Sequence, residues 1–135
     1  MRAAPLALGL FAALSGLGCQ KPPPGGTTEI PLGDERTSPT TDPALPAPGE
    51  SLRSWATAPW TGQPWIPFSG TEQLDIEHDL GRIPQGIQVW LSFTQDGSNP
   101  GLAAGDLAQV RAIDAEHVVV WNNTGTRFFA RVVVF

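Results

Sequence analysis

Residues 87 to 94 alternate one for one, with Ile87, Val89, Leu91 and Phe93 set against Gln88, Trp90, Ser92 and Thr94. A period of two puts all four apolar side chains on one face of an extended strand and scatters them around a helix. Leu74 and Ile76 alternate with Asp75 and Glu77 in the same way, and residues 107 to 113 form a weaker copy in which Ala108, Val110 and Ala112 face one way. No stretch carries an apolar period near 3.6 over three turns, and the 15 glycines and 14 prolines interrupt too often to allow one. The pattern predicts an all-β domain, a small antiparallel β-sandwich of about six strands.

The C-terminal part is the richest in strand formers. His117 to Trp121 and Arg127 to Phe135 flank Asn122-Asn123-Thr124-Gly125-Thr126, which reads as a hairpin with a short Asn/Gly loop. In the later segment Phe128, Ala130, Val132 and Val134 share one face, and Arg127, Phe129, Arg131 and Val133 the other. A strand apolar on one face and mixed on the other is expected to be central, with arginine stems lying along apolar surface. Trp90, opposite the Ile87 face, is open to two roles, filling a second layer or standing exposed.

The N-terminus has a different character. Arg2 precedes an apolar run from Ala3 to Leu17, and the small residues Gly16 and Gly18 flank the end of it. This is the layout of a secretory signal, and the run falls short of the roughly 20 apolar residues that span a bilayer. Cys19, the only cysteine, follows at once. Gly16, Leu17, Gly18 and Cys19 resemble the lipobox of bacterial lipoproteins. That resemblance implies removal of residues 1–18 and acylation of the Cys19 thiol, with palmitate among the chains. Gln20 resembles the outer-membrane sorting pattern, so the implied location is the bacterial cell envelope, at the outer membrane. The alternative is an ordinary signal cut nearby, which leaves a free thiol, a liability in an oxidising compartment.

Residues 19–52 are rich in Pro, Gly, Thr and Ser, with Pro22, Pro23, Pro24, Pro31, Pro39, Pro43, Pro46 and Pro48 spread through them. So few apolar side chains offset little ordering entropy, and the segment is expected to be a disordered tether spanning roughly 30 Å or more. The folded domain is then residues 53–135, starting between Leu52 and Trp65. A single cysteine leaves no disulfide to staple it, so its apolar core must suffice.

Charge narrows the partners. Thirteen acidic against eight basic residues give a net charge of −5, and the basic ones are scattered. Such a chain repels phosphate backbones and anionic headgroups, so nucleic acid is not an expected partner, and membrane attachment falls to acyl chains. Two distant histidines and an acylated cysteine make no metal site, and no cofactor motif is present.

At His78-Asp79-Leu80-Gly81-Arg82-Ile83-Pro84, followed by Gly86 and an alternating strand, the chain resembles a loop of many phage tail and fibre domains. Trp121-Asn122-Asn123-Thr124 before a Val-rich strand fits the same domains, and the six-stranded H-type lectins are a more distant likeness. The resemblance covers Glu72 to Phe135 and implies a small antiparallel sandwich. Read physically, Gly81 permits a positive φ and Pro84 holds Ile83 extended. Leu80 and Ile83 would then plug the end of the sandwich, and His78 would bond a loop carbonyl.

Chemistry is sparse. Asp75, Glu77 and Asp79 form an alternate-position carboxylate set for which a cation is conceivable, but a solvated strand face is the simpler reading. Asp96 to Gly101 is turn chemistry. Ser69, Ser92 and Ser98 stand in no Gly-x-Ser-x-Gly setting relative to His78 and His117, so no catalytic residues are assigned and the chain is expected not to be an enzyme. Trp55, Trp60 and Trp65 recur every five residues where tether meets domain. Trp65 is expected in the core, because Ile66 and Phe68 follow it, and Trp55 on the surface. The candidate ligand-binding residues are Trp55, Trp60, Arg82 and Arg127, with tryptophan as the stacking surface. The expectation is an envelope lipoprotein displaying a non-catalytic binding or structural module with a protein or glycan partner. The alternative is a glycan-binding, lectin-like domain, and a hydrolase is the third class.

Overall fold

The period-two segments all become strands in the structure, a computed structural model that describes residues 23–43 and 53–135. In chain order these are β1 (Thr27–Ile30), β2 (Thr40–Pro43), β3 (Arg53–Ala56), β4 (Ile66–Phe68), β5 (Gln73–Glu77), β6 (Ile87–Ser92), β7 (Gly101–Leu102), β8 (Gln109–Ile113), β9 (His117–Trp121) and β10 (Phe128–Val134). One sheet runs β1-β5-β9-β8; the other runs β2-β3-β10-β6-β7, with β4 also paired to β10. The protein is an all-β sandwich, with ten strands among the described residues rather than about six. The strands that periodicity missed are two to four residues long, too short for alternation to register. Every pair is antiparallel except β1 with β5.

The core forms where the two inner faces meet. Leu74, Ile76, Val118 and Val120 from one sheet oppose Val89, Leu91, Ala130, Val132 and Val134 from the other, all within one apolar cluster. Each Val, Leu or Ile among them contributes roughly 1.5–3 kcal/mol through removal from water. β10 is central, as its composition predicts: β6 pairs along one side of it, and β4 and β3 pair successively along the other.

The expected tether of residues 19–52 is corrected where it can be seen. Thr27 to Ile30 pair with Gln73 to Ile76, and Thr40 to Pro43 pair with Ala56 to Arg53. Each sheet thus takes an edge strand from the proline-rich segment. A single apolar side chain explains the docking of β1, since Ile30 is buried in the core cluster. The fold therefore starts well before residue 53, and Cys19 lies outside the described residues.

The expected hairpin between residues 117 and 135 is also corrected. β9 and β10 belong to different sheets, and residues 122–127 form a corner between them. Asn122 drives this. Its buried amide donates from Nδ2 to the carbonyls of Ser69 (3.0 Å) and Thr126 (2.8 Å). Its Oδ1 accepts from the Thr124 N–H (3.0 Å) and hydroxyl (2.6 Å). Two donors and two acceptor positions are filled, so the amide is buried without an unmade bond. The neighbouring connection crosses close by: a Cβ on Gly70 would lie 2.6 Å from the Gly125 carbonyl carbon, which only a glycine tolerates.

Three smaller expectations divide. The 107–113 pattern does not hold: Ala108, which closes the 105–107 turn before β8, is buried, while Val110 and Ala112, on either side of a register shift, are exposed. Leu80 plugs the sandwich end as expected, but Ile83 points to solvent and Pro84 is buried in its stead. Phe93 lies one residue past the end of β6 and is exposed, outside the core its spacing suggested.

Candidate functional site

The outer face of the larger sheet carries the most unusual side-chain arrangement. Arg131 on β10 lies directly opposite Trp90 on β6, and Trp90 opposite Leu102 on β7, so the three share that face. On the other side of β10 the chain leaves the sheet between β3 and β4. Thr57 holds the departure point: its N–H donates to the Val132 carbonyl (3.0 Å), and its hydroxyl accepts the Val132 N–H (3.1 Å). The Ala58 carbonyl then accepts from Nε of Arg131 at 2.7 Å. The detour from Thr57 to Trp65 swings Trp60 over the arginine, with the guanidinium carbon 4.1 Å from the indole centroid.

Trp60 is held from several directions. It meets Trp90 edge-on at a centroid distance of 5.0 Å and Trp65 at 6.1 Å. Arg131 beneath it is only 7% exposed, whereas Trp60 is 45% exposed. A guanidinium under one indole face stabilises the stack by cation–π attraction, about 0.5–2 kcal/mol depending on desolvation. The outcome is a preorganised aromatic surface. A ligand that stacks there finds the ring already fixed and forfeits less ordering entropy.

A cavity of about 380 Å³ lies beside it, lined by Gly62, Gln63, Pro64, Gln95 and Asp96. The backbone N–H of Trp65 donates to the carbonyl of the lining residue Gln95 at 2.8 Å. Gly97, at φ +74°, lets the 94–97 turn cross the buried Trp65 ring; a Cβ there would come within 2.4 Å of it. Asp96 is an exposed carboxylate with a pKa lowered to about 2, first by the Thr94 hydroxyl (2.7 Å) and then by Ser98 (N–H at 3.0 Å). The rim thus offers two amides and a permanently ionised acceptor next to an apolar ring.

The residues singled out in the sequence scatter around this surface. Trp55 is not on the surface: it is 3% exposed, because it lies opposite the inward-facing Val134 and its ring meets His78 at 6.2 Å. Trp65 is core, as expected. Arg127 lies over Phe129 (5.5 Å) at the start of β10. Arg82, in the loop that meets Phe135, lies at the far end of that strand, about 25 Å away at roughly 3.4 Å per residue. Arg82 and Arg127 therefore cannot serve one small ligand with Trp60. The arginine that does meet it is Arg131. Its position on the outer face of β10 was readable, but its proximity to Trp60 was not.

The opposite sheet presents a polar outer face. His117 Nδ1 lies 2.8 Å from Asp75 Oδ1, and that bond raises the imidazole pKa above its ordinary value. Asp75 and Glu77 line a smaller cavity of about 260 Å³ with Glu29 and His117, while Asp79 falls beyond β5. Among the described residues no group of three His, Cys, Asp or Glu side chains is set to hold a metal ion. His78 turns inward. Leu80 donates its N–H to Nδ1 (3.3 Å), which leaves Nε2 to donate to the Asp114 carbonyl (3.2 Å), the carbonyl bond expected of it. Burial lowers its pKa, so the ring is neutral.

No protein-family model matches this chain, and no characterised protein or solved structure is significantly similar to it.

Proposed function

We propose that this chain is a lipid-anchored protein of the bacterial cell envelope whose β-sandwich is a non-catalytic binding module, with its ligand surface centred on Trp60. The observation that carries the reading is the solvent-facing Trp60 indole clamped between buried Arg131 and Trp90. Large aromatics that face solvent in a fixed pose are the anchors of recognition surfaces. The membrane part of the proposal rests on Cys19 and its signal-like leader, since among the described residues no helix is long and apolar enough to cross a bilayer.

A glycan ligand is the second reading, favoured by the chemistry beside Trp60. An indole face suits the C–H face of a sugar ring, and Gln63, Gln95 and Asp96 supply amide and carboxylate groups for hydroxyls. The hydrolase reading has the least support. The hydrogen bonds of His78 go to Asp114 and Leu80, and that of His117 to Asp75, none to a hydroxyl or thiol.

The test is a glycan-array and pull-down screen with the mature chain and its Trp60→Ala variant. Binding by the wild type that the folded variant loses supports the reading. Equal binding by both removes Trp60 from any recognition surface.

A further inference from the structure

We propose that the end of the sandwich carrying Phe93, Leu107 and Arg127 lies against the bilayer that anchors the chain. The proposal rests on the lipid-anchor reading of Cys19 and goes beyond it, because it fixes which surface faces the lipid. The fold leaves little freedom. Gly25 donates its N–H to the Thr71 carbonyl at 3.0 Å, and Gly26 to that of Pro23 at 3.0 Å, so the chain is tied down from Pro23 onward. Only Gln20, Lys21 and Pro22 separate Cys19 from Pro23. Four peptide steps reach at most about 14 Å even when fully extended. An acylated Cys19 sits at the level of the headgroups, a layer roughly 5–8 Å thick per leaflet. The end that holds Pro23 must then rest on or near that layer.

The loops at this end are identified by their bonds. Thr71 donates its N–H to Thr124 O (2.9 Å), which joins the 69–72 connection to the 122–127 corner, and Asn123 donates to Asp106 O (2.8 Å), which adds the 105–107 turn. β6 ends here too, since Ser92 lies opposite Phe129. Phe93 follows at once and is the most exposed large apolar side chain described, at 75%, with its ring 5.2 Å from Phe128. Leu107 is exposed on the adjoining turn, and Arg127 is exposed at the corner. A rigid ring, an aliphatic side chain and a guanidinium suit the interface, where aromatic and basic side chains settle at headgroup depth. Asp96 and Asp106 at the same end oppose an anionic surface, so the fitting partner is a zwitterionic leaflet. Ile83 and Phe135, exposed at the other end, are held away from the lipid by the length of β10.

Hydrogen exchange on phosphatidylcholine vesicles tests this with two preparations. One is the mature protein with its natural acylation. The other is the unacylated mature chain coupled through the Cys19 thiol to a maleimide phospholipid. The expected result in both is several-fold slower exchange over residues 105–107 and 122–127 than in free protein, with residues 79–86 unchanged. Phe93→Ser should weaken that protection without altering the thermal midpoint. Unchanged exchange at both ends of the coupled protein, or protection of residues 79–86 instead, overturns the proposal. A natural protein with no acyl mass, beside a coupled protein protected at 122–127, removes the natural anchor and leaves the orientation standing as a property of the fold.

Discussion

Thr57 and Val132 exchange two hydrogen bonds across a gap in the sheet, one of them through the threonine hydroxyl. A side chain thus completes a ladder that backbone alone would break, and it does so where the chain departs to carry Trp60 outward. Thr57→Val keeps the shape and leaves the Val132 N–H buried without its acceptor. That should cost about 1–3 kcal/mol, read by chemical denaturation. Tryptophan emission should shift too, as the 57–65 detour loosens. A neutral variant would mean that the hydroxyl is dispensable.

The proline-rich N-terminal segment should behave as part of the folded unit. Ile30→Ala removes a fully buried side chain and is expected to destabilise by about 2–5 kcal/mol. Deleting residues 23–43 should lower the melting temperature strongly, since it strips an edge strand from each sheet. An unchanged melting temperature in the deletion would return this segment to the role of a spacer.

The tryptophans separate stability from recognition. Trp55→Ala should cost about 3–5 kcal/mol, because its ring fills the core. Trp60→Ala should cost no more than about 2 kcal/mol, the scale of its contact with Arg131. Urea denaturation of the two variants checks the order, and a larger loss for Trp60 would refute the assignment of its face to solvent.

The two histidines should pull stability in opposite directions with pH. His117, held protonated by Asp75, has a folded pKa above the ordinary imidazole value of 6.5. Its contribution is full below that value and is lost as pH rises through the folded pKa. Buried His78 has a folded pKa below 6.5, so its neutral form costs stability as pH falls from 6.5. The aspartates with shifted pKa values, Asp34, Asp96 and Asp114, are lowered and titrate well below this window. Denaturation midpoints between pH 5 and 8 should pass through a shallow maximum near 6.5. His117→Asn should flatten the alkaline limb alone.

Much of the fold was legible because β5 and β6 alternate apolar with other residues, and β9 and β10 are rich in Val and Phe. β1 and β7 were not, since a strand with one buried side chain or none offers no period to read. The role of Asn122 was hidden for another reason. Asn-Gly-rich segments serve hairpins and corners alike, and only the partner Ser69, 53 residues earlier, decides between them. The candidate surface was half legible. Trp60 stood out as an aromatic among prolines. Its support came from Arg131, whose Nε bond reaches Ala58 across 73 residues, through a detour with no periodicity at all.

The centrality of β10 bears on biosynthesis. The strand latest in the sequence lies between partners made much earlier: Val134 faces both Ile87 and Trp55, and Phe128 faces Phe68. Until residue 134 has emerged, β3 has only β2 to join and β6 only β7, and the larger sheet lacks its spine. The smaller sheet has all its strands by Trp121, but the sandwich closes only with β10, in a late step dominated by distant pairings. Such topologies fold slowly, on the scale of milliseconds to seconds. On the export route proposed above, that delay would keep the larger sheet open until passage is complete.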